Sequence, residues 1–447
     1  MRKTKFLLIA LTILLAGCVK GQDIHKSSTA TMTDTVTVVV PGNTKTPRPP
    51  TPINTPTQPL ATPTLTLTPT AGVRFPRTEC LEVVPKFPQT ASRTGSVVFV
   101  APSWGDIPPI KILNLETLEP IFIDYDAAGP GISPDRHWFA FEAERKLMLM
   151  DASGGIYEIV DWDEEWYLVE GWLNKNQILI SKYPDSPPPS VPPLGVIDIR
   201  TKEYREIERN YPGIDYPEGA EEYDTLLSTT NLITFYNPRY PIVAYPGMKT
   251  FVLFDLSKKE IVAEVKDENI RPIFPPMWTP NGEYLLLAKE IYPPPGQRGH
   301  QEFFLISRDG TVSQITHFND FHENSEIGGF SLSPDGQKVA FWFRDRAISW
   351  DENLYILDLQ TLDVVDPCIT SVRWDDGSTT GFDPNSPPIW SPDSKALATE
   401  VRLPRVDEKG LRVGRPQVLY LDITNGFAVK IAGDVGLIGW LVNQPAK

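Results

Sequence analysis

The stretch IWSPDSKALATEV (389–401) places Trp-Ser-Pro-Asp directly before an alternating apolar run. Pro sets φ for the first corner of a β-turn, and Asp bonds the nearby backbone with its short side chain. A short apolar run bounded by turn residues is typical of a β-strand. The stretch therefore predicts a strand, a tight turn and a second strand. Similar phrases are ISPDRHWFAFE (132–142), WTPNGEYLLLAKE (278–290) and LSPDGQKVAFWF (332–343).

A second phrase occurs seven times, at spacings of 37 to 64 residues. Each copy has an apolar strand, a short polar residue, a tight turn and another strand. With the first phrase in front, each copy makes a four-stranded unit. WLNKNQILIS (172–181) and YNPRYPIVAY (236–245) serve as degenerate first phrases. The short polar residues are Asn114, Asp151, Asp198, Asp255, Ser307, Asp358 and Asp422.

The first unit lacks the first phrase, because the chain enters it at SVVFV (96–100). The missing strand stands at GLIGWLVN (436–443), where Trp440 takes the place of Trp172, Trp278 and Trp390 in other units. Stacking four-stranded sheets radially buries their faces and protects their edges. We predict an all-β fold, a seven-bladed β-propeller over residues 95–443 with four-stranded antiparallel blades, closed by the C-terminal strand. Six or eight blades remain open.

The motif Ser-Pro-Asp-Gly-x-x-apolar-Ala, followed by apolar-Tyr-apolar-apolar-Asp, resembles the repeat of TolB-type β-propellers, relatives of the WD-repeat propellers. The residues that match best are Ser333-Pro334-Asp335-Gly336 and Ser391-Pro392-Asp393-Ser394. The resemblance covers about residues 95–443 and implies the propeller fold. TolB itself has six blades behind a separate N-terminal domain, whereas this sequence has a tether before its predicted propeller.

The N-terminus predicts export and a lipid anchor. Arg2, Lys3 and Lys5 precede an apolar stretch too short to span a bilayer, which is typical of a signal peptide over residues 1–17. Leu15-Ala16-Gly17-Cys18 resembles the bacterial lipoprotein box, which implies cleavage before Cys18 and acylation of its thiol; an ordinary signal peptide is the alternative. Between Pro41 and Thr70 there are nine Pro and ten Thr, so we expect a disordered tether over 18–76. Residues 77–94 lead into the propeller.

This organisation predicts a protein anchored by lipid to the bacterial cell membrane and facing outside the cytoplasm, in the periplasm or at the cell surface. Residues 77–447 carry 34 Lys and Arg against 55 Asp and Glu, a net charge of about −21. This charge argues against nucleic acid as a partner and against adsorption of the head to anionic lipid. Cys80 and Cys368 form a disulfide or are two separate core residues; both alternatives are open.

Length variation concentrates in the connections on one face of the predicted propeller. Long loops on a rigid scaffold commonly carry binding residues, so we place a protein or glycan partner there. Aromatic and acidic side chains on these loops suit stacking and hydrogen bonding, and packing between blades is the alternative role. The candidate residues are Trp162, Asp163, Trp166, Tyr223, Asp224, Trp350, Trp374, Asp375 and Asp376.

No Gly-x-Ser-x-Gly elbow, phosphate loop or zinc spacing is present. His317 and His322 share a loop with Asp320 and Glu323, but loop spacing alone does not define a metal site. We therefore assign no catalytic residue, metal or cofactor, and expect a binding protein. Two alternatives stay open: an exported glycan-active hydrolase or lyase with its site on the same face, and a propeller that senses a small solute or cation.

Overall fold

The structure of the protein is a computed structural model. The chain divides into two compact units, Met1–Ala61 and Thr62–Lys447, and every described residue belongs to the second. The predicted signal peptide, Cys18 and the tether up to residue 75 lie outside the described residues. The described residues are 76–91, 93–100, 109–126, 128–161, 166–183, 194–207, 239, 242–246, 250–255, 258, 260–266, 276–291, 299–322, 324–349, 351–372, 386–403 and 415–443.

These residues form β-strands throughout, with a 3-10 helix at Phe318–Asp320. Six sheets contain four antiparallel strands each, and we call them blades 1 to 6. Blade 1 consists of β30 (Gly436–Leu441), β3 (Ser96–Val100), β4 (Pro109–Asn114) and β5 (Pro120–Asp126). Blade 2 consists of β6 (Ala128–Ile132), β7 (Phe139–Ala143), β8 (Lys146–Met150) and β9 (Ile156–Asp161). Blade 3 consists of β10 (Trp166–Asn174), β11 (Gln177–Tyr183), β12 (Leu194–Asp198) and β13 (Tyr204–Ile207).

The other three blades follow in chain order after a three-stranded sheet. That sheet consists of β14 (Ile242–Pro246), β15 (Thr250–Asp255) and β16 (Glu260–Lys266). Blade 4 consists of β17 (Met277–Trp278), β18 (Tyr284–Ile291), β19 (His300–Ser307) and β20 (Val312–Gln314). Blade 5 consists of β21 (Ser325–Leu332), β22 (Lys338–Asp345), β23 (Glu352–Asp358) and β24 (Val364–Asp366), with β25 (Thr370–Ser371) also on β23. Blade 6 consists of β26 (Ile389–Trp390), β27 (Ala396–Leu403), β28 (Arg415–Asp422) and β29 (Phe427–Gly433).

The prediction of seven four-stranded blades is wrong. The described chain has six such blades, and the sheet between blades 3 and 4 has three strands. The first phrase assigned to this unit, at 236–245, supplies β14 without a described strand before it. In this copy Pro238 and Pro241 stand close together, and proline has no backbone N–H to donate to a strand ladder.

The Ser-Pro-Asp turns have one hydrogen-bond pattern. In blade 5, Ser333 Oγ donates to Asp335 Oδ1 at 2.6 Å and accepts from Lys338 N at 2.8 Å. In blade 6, Ser391 Oγ donates to Asp393 Oδ1 at 2.6 Å. The turn satisfies its own polar groups, so it tightly joins the inner strand of a blade to the second strand.

The tryptophans that recur at the end of the inner strand link a blade to its neighbour. Trp172 Nε1 donates to the carbonyl oxygen of Gly131 at 3.0 Å, and Trp390 Nε1 to that of Ser331 at 3.2 Å. In both pairs the carbonyl belongs to the inner strand of the preceding blade. The repeated Trp thus packs a large ring, which is buried at Trp390 and partly buried at Trp172, and satisfies its N–H at the same place.

Apolar clusters join the sheets in series. They lie between the three-stranded sheet and blade 4, between blades 4 and 5, 5 and 6, 6 and 1, 1 and 2, and 2 and 3. Between blades 5 and 6, for example, Trp342 packs with Trp390 and Leu421. Fully burying one large apolar side chain stabilises the fold by about 1.5–3 kcal/mol, so the core of this protein lies between the blades.

Blade 1 joins distant parts of the chain. β30 pairs antiparallel with β3, with Leu441 opposite Ser96 and Gly436 opposite Val100. Trp440 is 1% exposed, and its Nε1 donates to the carbonyl oxygen of Thr94 at 2.9 Å. The strand at 436–441 therefore takes the inner place in the first sheet, as the position of its Trp predicts.

The lead-in residues add outer strands to blades 5 and 6. β1 (Arg77–Thr78) pairs parallel with β24, and β2 (Glu82–Val84) pairs parallel with β29. Between them, Cys80 forms a disulfide with Cys368, with their Cα atoms 4.8 Å apart. The segment thus covers the outer edges of two successive blades before the chain enters β3 in blade 1.

A search of the described ranges for membrane-spanning helices finds none with the length and apolarity that a crossing requires.

We expect Trp440→Ala to destabilise the protein by about 3–5 kcal/mol, because it opens a cavity and leaves the Thr94 carbonyl without its donor. Urea unfolding of the full chain measures this change. Phe122→Ala is the matched control, since Phe122 is 70% exposed on β5 and its ring contacts the Lys111 ammonium. The cost of this substitution should be about 1 kcal/mol or less. Equal costs for the two variants would contradict the role assigned to β30.

Candidate functional site

Each blade has a turn end and a loop end. The turn end carries the Ser-Pro-Asp turns, and the loop end is where the second strand finishes and the third begins. In blade 5, β22 finishes at the loop end with Asp345 and β23 begins there with Glu352. In blade 2 the same connection is the two-residue turn Glu144–Arg145, whose residues have φ of 52° and 62°. Long connections between the second and third strands therefore occur only in certain blades.

Most of the predicted binding face lies outside the described residues. Trp166 is the first residue of β10, at the loop end of blade 3, where its backbone is paired with Tyr183. Its side chain is not among the described parts of the chain. The remaining candidates lie outside the described residues: Trp162, Asp163, Tyr223, Asp224, Trp350, Trp374, Asp375 and Asp376. Their meeting on one surface therefore stays a prediction.

The described part of the loop end holds an ionic cluster on blade 5. Arg344 lies opposite Glu326 in the β21–β22 ladder. Its Nε and Nη2 both contact Oε2 of the Glu326 carboxylate, to which Arg346 Nε also donates. Arg344 Nη1 lies 4.0 Å from Oε1 of Glu352. The Arg344 and Glu352 side chains are almost fully buried, whereas Arg346 is exposed. Burying these charges requires mutual pairing, so the cluster holds three strand ends in one arrangement and presents a cation to solvent.

A histidine lies beside this cluster. His322 Nδ1 is 3.0 Å from Asp345 Oδ2, and its ring contacts the rings of Phe321 and Phe343. The other histidine of the same loop, His317, contacts Gln314 Nε2 through Nδ1 at 3.2 Å. The two imidazoles thus have different partners. Among the described residues no group of three or more His, Cys, Asp or Glu is arranged to hold a metal ion, and Glu323 lies outside them.

Glu302 organises the connection that leaves blade 4. It is fully buried, accepts from Thr316 Oγ1 at 2.6 Å, and accepts from the Asn319 backbone N–H at 2.9 Å. Burial raises the pKa of Glu302, and these hydrogen bonds partly oppose the rise. The carboxylate thereby holds the 3-10 helix at Phe318–Asp320 and shapes the loop that follows.

The end of blade 5 is tied to blade 6. The Arg402 N–H donates to Ser371 Oγ at 2.9 Å, and the Val372 N–H donates to the Arg402 carbonyl oxygen at 2.9 Å. Close by in the same strand, Glu400 is buried and lies 3.9 Å from Arg402 Nη2. Burial raises the pKa of Glu400, and the Arg402 charge and the Leu437 backbone N–H oppose the rise. The loop ends of these blades therefore form one connected polar layer.

The sequence pattern does not predict this polar layer. Arg344, Arg402 and Glu400 lie near the ends of apolar second strands, and a charged residue at such a position is the sequence feature that could have indicated the layer. It did not identify their partners, because Glu326, Glu352 and Ser371 come from other strands. The arrangement suits holding a partner or a loop by charge-assisted hydrogen bonds.

No family model matches the chain, and no curated protein sequence matches it. Among solved structures, the acylaminoacyl peptidase of Pyrococcus horikoshii is 17% identical, with a TM-score of 0.44, 76% of this chain covered and 51% of the peptidase. A putative TolB from Agrobacterium tumefaciens is 11% identical, with a TM-score of 0.33 and coverages of 77% and 91%. A puromycin-hydrolyzing peptidase of Mycobacterium tuberculosis is 13% identical, with a TM-score of 0.43 and coverages of 84% and 58%.

This chain spans about half the length of the acylaminoacyl peptidase. The assignment of the propeller fold rests on the described sheets and on the clusters that join them.

Burial of Glu400 makes the stability of the folded protein depend on pH. Because its pKa is raised above 4.5 in the folded state, the folded state binds this proton more tightly than the unfolded state. Stability is therefore lost as pH rises from the unfolded pKa to the raised folded pKa. We expect the free energy of unfolding of Glu400→Gln, relative to that of the native protein, to increase as the pH rises from about 4 to about 8. Urea unfolding at both pH values measures the gain. Glu116→Gln, at an exposed position, is the control; an equal difference at both pH values would refute the assignment.

Proposed function

We propose that this chain is an exported bacterial lipoprotein, anchored through Cys18, whose propeller head binds a protein or glycan partner at the loop end. Residues 18–76 hold the head away from the membrane. The observation that carries the proposal is the difference between the two ends of the blades. The turn end consists of tight turns that satisfy their own polar groups, and the loop end combines long connections with a connected layer of charged side chains.

The disulfide between Cys80 and Cys368 supports export. Disulfides persist in oxidising compartments and are rare where thiols are kept reduced. This one joins residues 288 positions apart in the sequence and fastens the lead-in to blade 5. A protein that matures outside the cytoplasm forms such a bond, which agrees with the signal peptide proposed for residues 1–17.

A head whose strand ends are fixed suits recognition. The ionic cluster of Arg344, Glu326 and Arg346 fixes the strand ends at the loop end of blade 5, while the aromatic and acidic candidates belong to neighbouring connections. Aromatic rings bind partners at low cost in conformational entropy, and Arg adds charge-assisted hydrogen bonds. We therefore favour binding over turnover at this face.

We expect the native chain to fractionate with membranes and to incorporate labelled fatty acid when it is expressed in a bacterial host. Cys18→Ala should remain exported but move to the soluble extracytoplasmic fraction, because it lacks the acceptor thiol. Cys368→Ala is the cysteine control and should stay with the membrane. Membrane retention of unlabelled Cys18→Ala would contradict the anchor.

We expect Trp162→Ala combined with Trp166→Ala to weaken partner binding by at least about tenfold, since buried Trp anchors commonly contribute 2 kcal/mol or more. The Cys18→Ala chain serves as soluble bait for a glycan panel and for purified envelope proteins, with affinity measured by calorimetry. Phe122→Ala is the matched control, because this exposed ring lies on an outer strand.

Unchanged binding by the double Trp variant would place the site elsewhere. Cleavage of a glycan in the panel, followed by chromatography, would favour the hydrolase or lyase alternative. Equal loss of affinity in both variants would show that the effect is not specific to the loop end.

A further inference from the structure

One turn at the turn end carries an unusual residue. Arg136 has φ of 61° in the Ser133–His137 turn of blade 2. The corresponding positions in blades 4 and 5 are Gly282 and Gly336, both with φ of 72°, and in blade 6 it is Ser394 with φ of 60°. Left-handed backbone costs a residue with a Cβ roughly 1 kcal/mol or more. The left-handed backbone of this turn therefore favours Gly over Arg at position 136.

This position points toward the preceding blade. Ser394 Oγ in blade 6 accepts from the Asp335 N–H of blade 5 at 3.1 Å. A Cβ on Gly336 in blade 5 would lie 2.8 Å from Pro280 Cδ in blade 4. A side chain at position 136 accordingly extends toward blade 1.

Blade 1 has no turn of this kind, because its inner strand β30 and second strand β3 come from distant parts of the chain. Arg136 occupies the region where that turn would lie. Its carbonyl oxygen accepts from the Val442 N–H at 2.9 Å, and His137 Nδ1 lies 3.4 Å from the Val442 carbonyl oxygen. Its Nη1 donates to the carbonyl oxygen of Trp390 in blade 6. The guanidinium thus passes over the end of β30, at the turn end of the inner strands.

The Arg136 charge has no counter-ion among the described residues. Its side-chain partner is the neutral carbonyl of Trp390, and the neighbouring Asp135 Oδ1 is engaged by Ser133 Oγ and the His137 N–H. Burial lowers the pKa of Arg136 to about 10, with no carboxylate opposing the effect, and the group remains cationic at neutral pH. In contrast, the buried Arg344 is paired with Glu326. A partly buried cation without an anion is costly.

We propose that Arg136 is the anchor of a carboxylate-binding site at the turn end of the inner strands, opposite to the loop end. Nη1 is held by the Trp390 carbonyl, which leaves Nε and Nη2 as a two-pronged donor edge. That edge matches the two oxygens of a planar carboxylate. One guanidinium balances one negative charge, which favours a monoanionic carboxylate over a phosphate. The carboxylate belongs to a small organic acid or to an acidic residue of a bound peptide. This site does not depend on the function proposed for the loop end.

Thermal unfolding and calorimetry of the full chain, at matched ionic strength, test the site. Acetate and a short peptide with one Asp side chain and blocked termini represent the two sources, and chloride and inorganic phosphate are the comparison anions. A ligand that binds the folded state raises Tm in a saturable way. We expect this rise with acetate, the peptide or both, and the stronger of the two identifies the source.

Arg136→Gly removes the cation and suits the left-handed backbone, so we expect it to fold with little loss of stability in chloride and to lose the carboxylate response. Its apparent carboxylate affinity should fall by at least about tenfold. If Arg136→Gly does not fold, Arg136→Gln is the second variant. We expect it to lose carboxylate affinity to the same extent. Arg145→Gly, at the exposed left-handed position of the β7–β8 turn, is the matched control and should keep the response.

The proposal is overturned if the native chain shows no saturable carboxylate response, or if the Arg136 variants keep it. Arg136→Gly could also lose the same stability in chloride and in carboxylate, while the Tm of the native chain does not respond to carboxylate. That result would make Arg136 a structural link between blades. An Arg136-dependent response to phosphate equal to that of the carboxylates overturns the assigned ligand class.

Discussion

The pairing of β30 with β3 is the constraint on which the head depends. It supplies the inner strand of blade 1, and side chains of β30 enter the clusters on both sides of that blade: Leu437 and Trp440 toward blade 6, and Leu441 toward blade 2. Bringing residues 96 and 441 together costs loop-closure entropy. The burial of these side chains and the indole hydrogen bond to Thr94 offset that cost.

Other features reinforce the same region. The lead-in adds β1 to blade 5 and β2 to blade 6, and the disulfide of Cys80 with Cys368 fastens it. Arg136 links blade 2 to blade 6 over the end of β30. Blades 5, 6, 1 and 2 are thereby joined by strand pairing, a covalent bond and a side-chain contact in addition to their apolar clusters. Long connections at the loop end are thus attached to strands whose positions are strongly constrained.

The repeated phrases were sufficient to predict local structure. Ser333-Pro334-Asp335 predicts its turn because the hydrogen bonds lie within the phrase, and Trp440 predicts the place of β30 because it repeats the position of Trp390. The blade count was wrong at the copy around Pro238 and Pro241, which departs from the other phrases. The ionic layer of Arg344, Glu326 and Ser371 was missed, since its members come from strands whose register the phrases do not encode.

The sequence by itself determined the all-β repeat, the tight turns and the strand that completes blade 1, because each depends on residues close together or on a position repeated along the chain. Tertiary structure alone decided that β1 and β2 cover two blade edges, that Arg344 is buried with Glu326, and that Arg136 lies over β30 with no carboxylate partner in the described part of the chain. These outcomes depend on which strands become neighbours and how much water is excluded between them, and local residue pattern contains neither quantity.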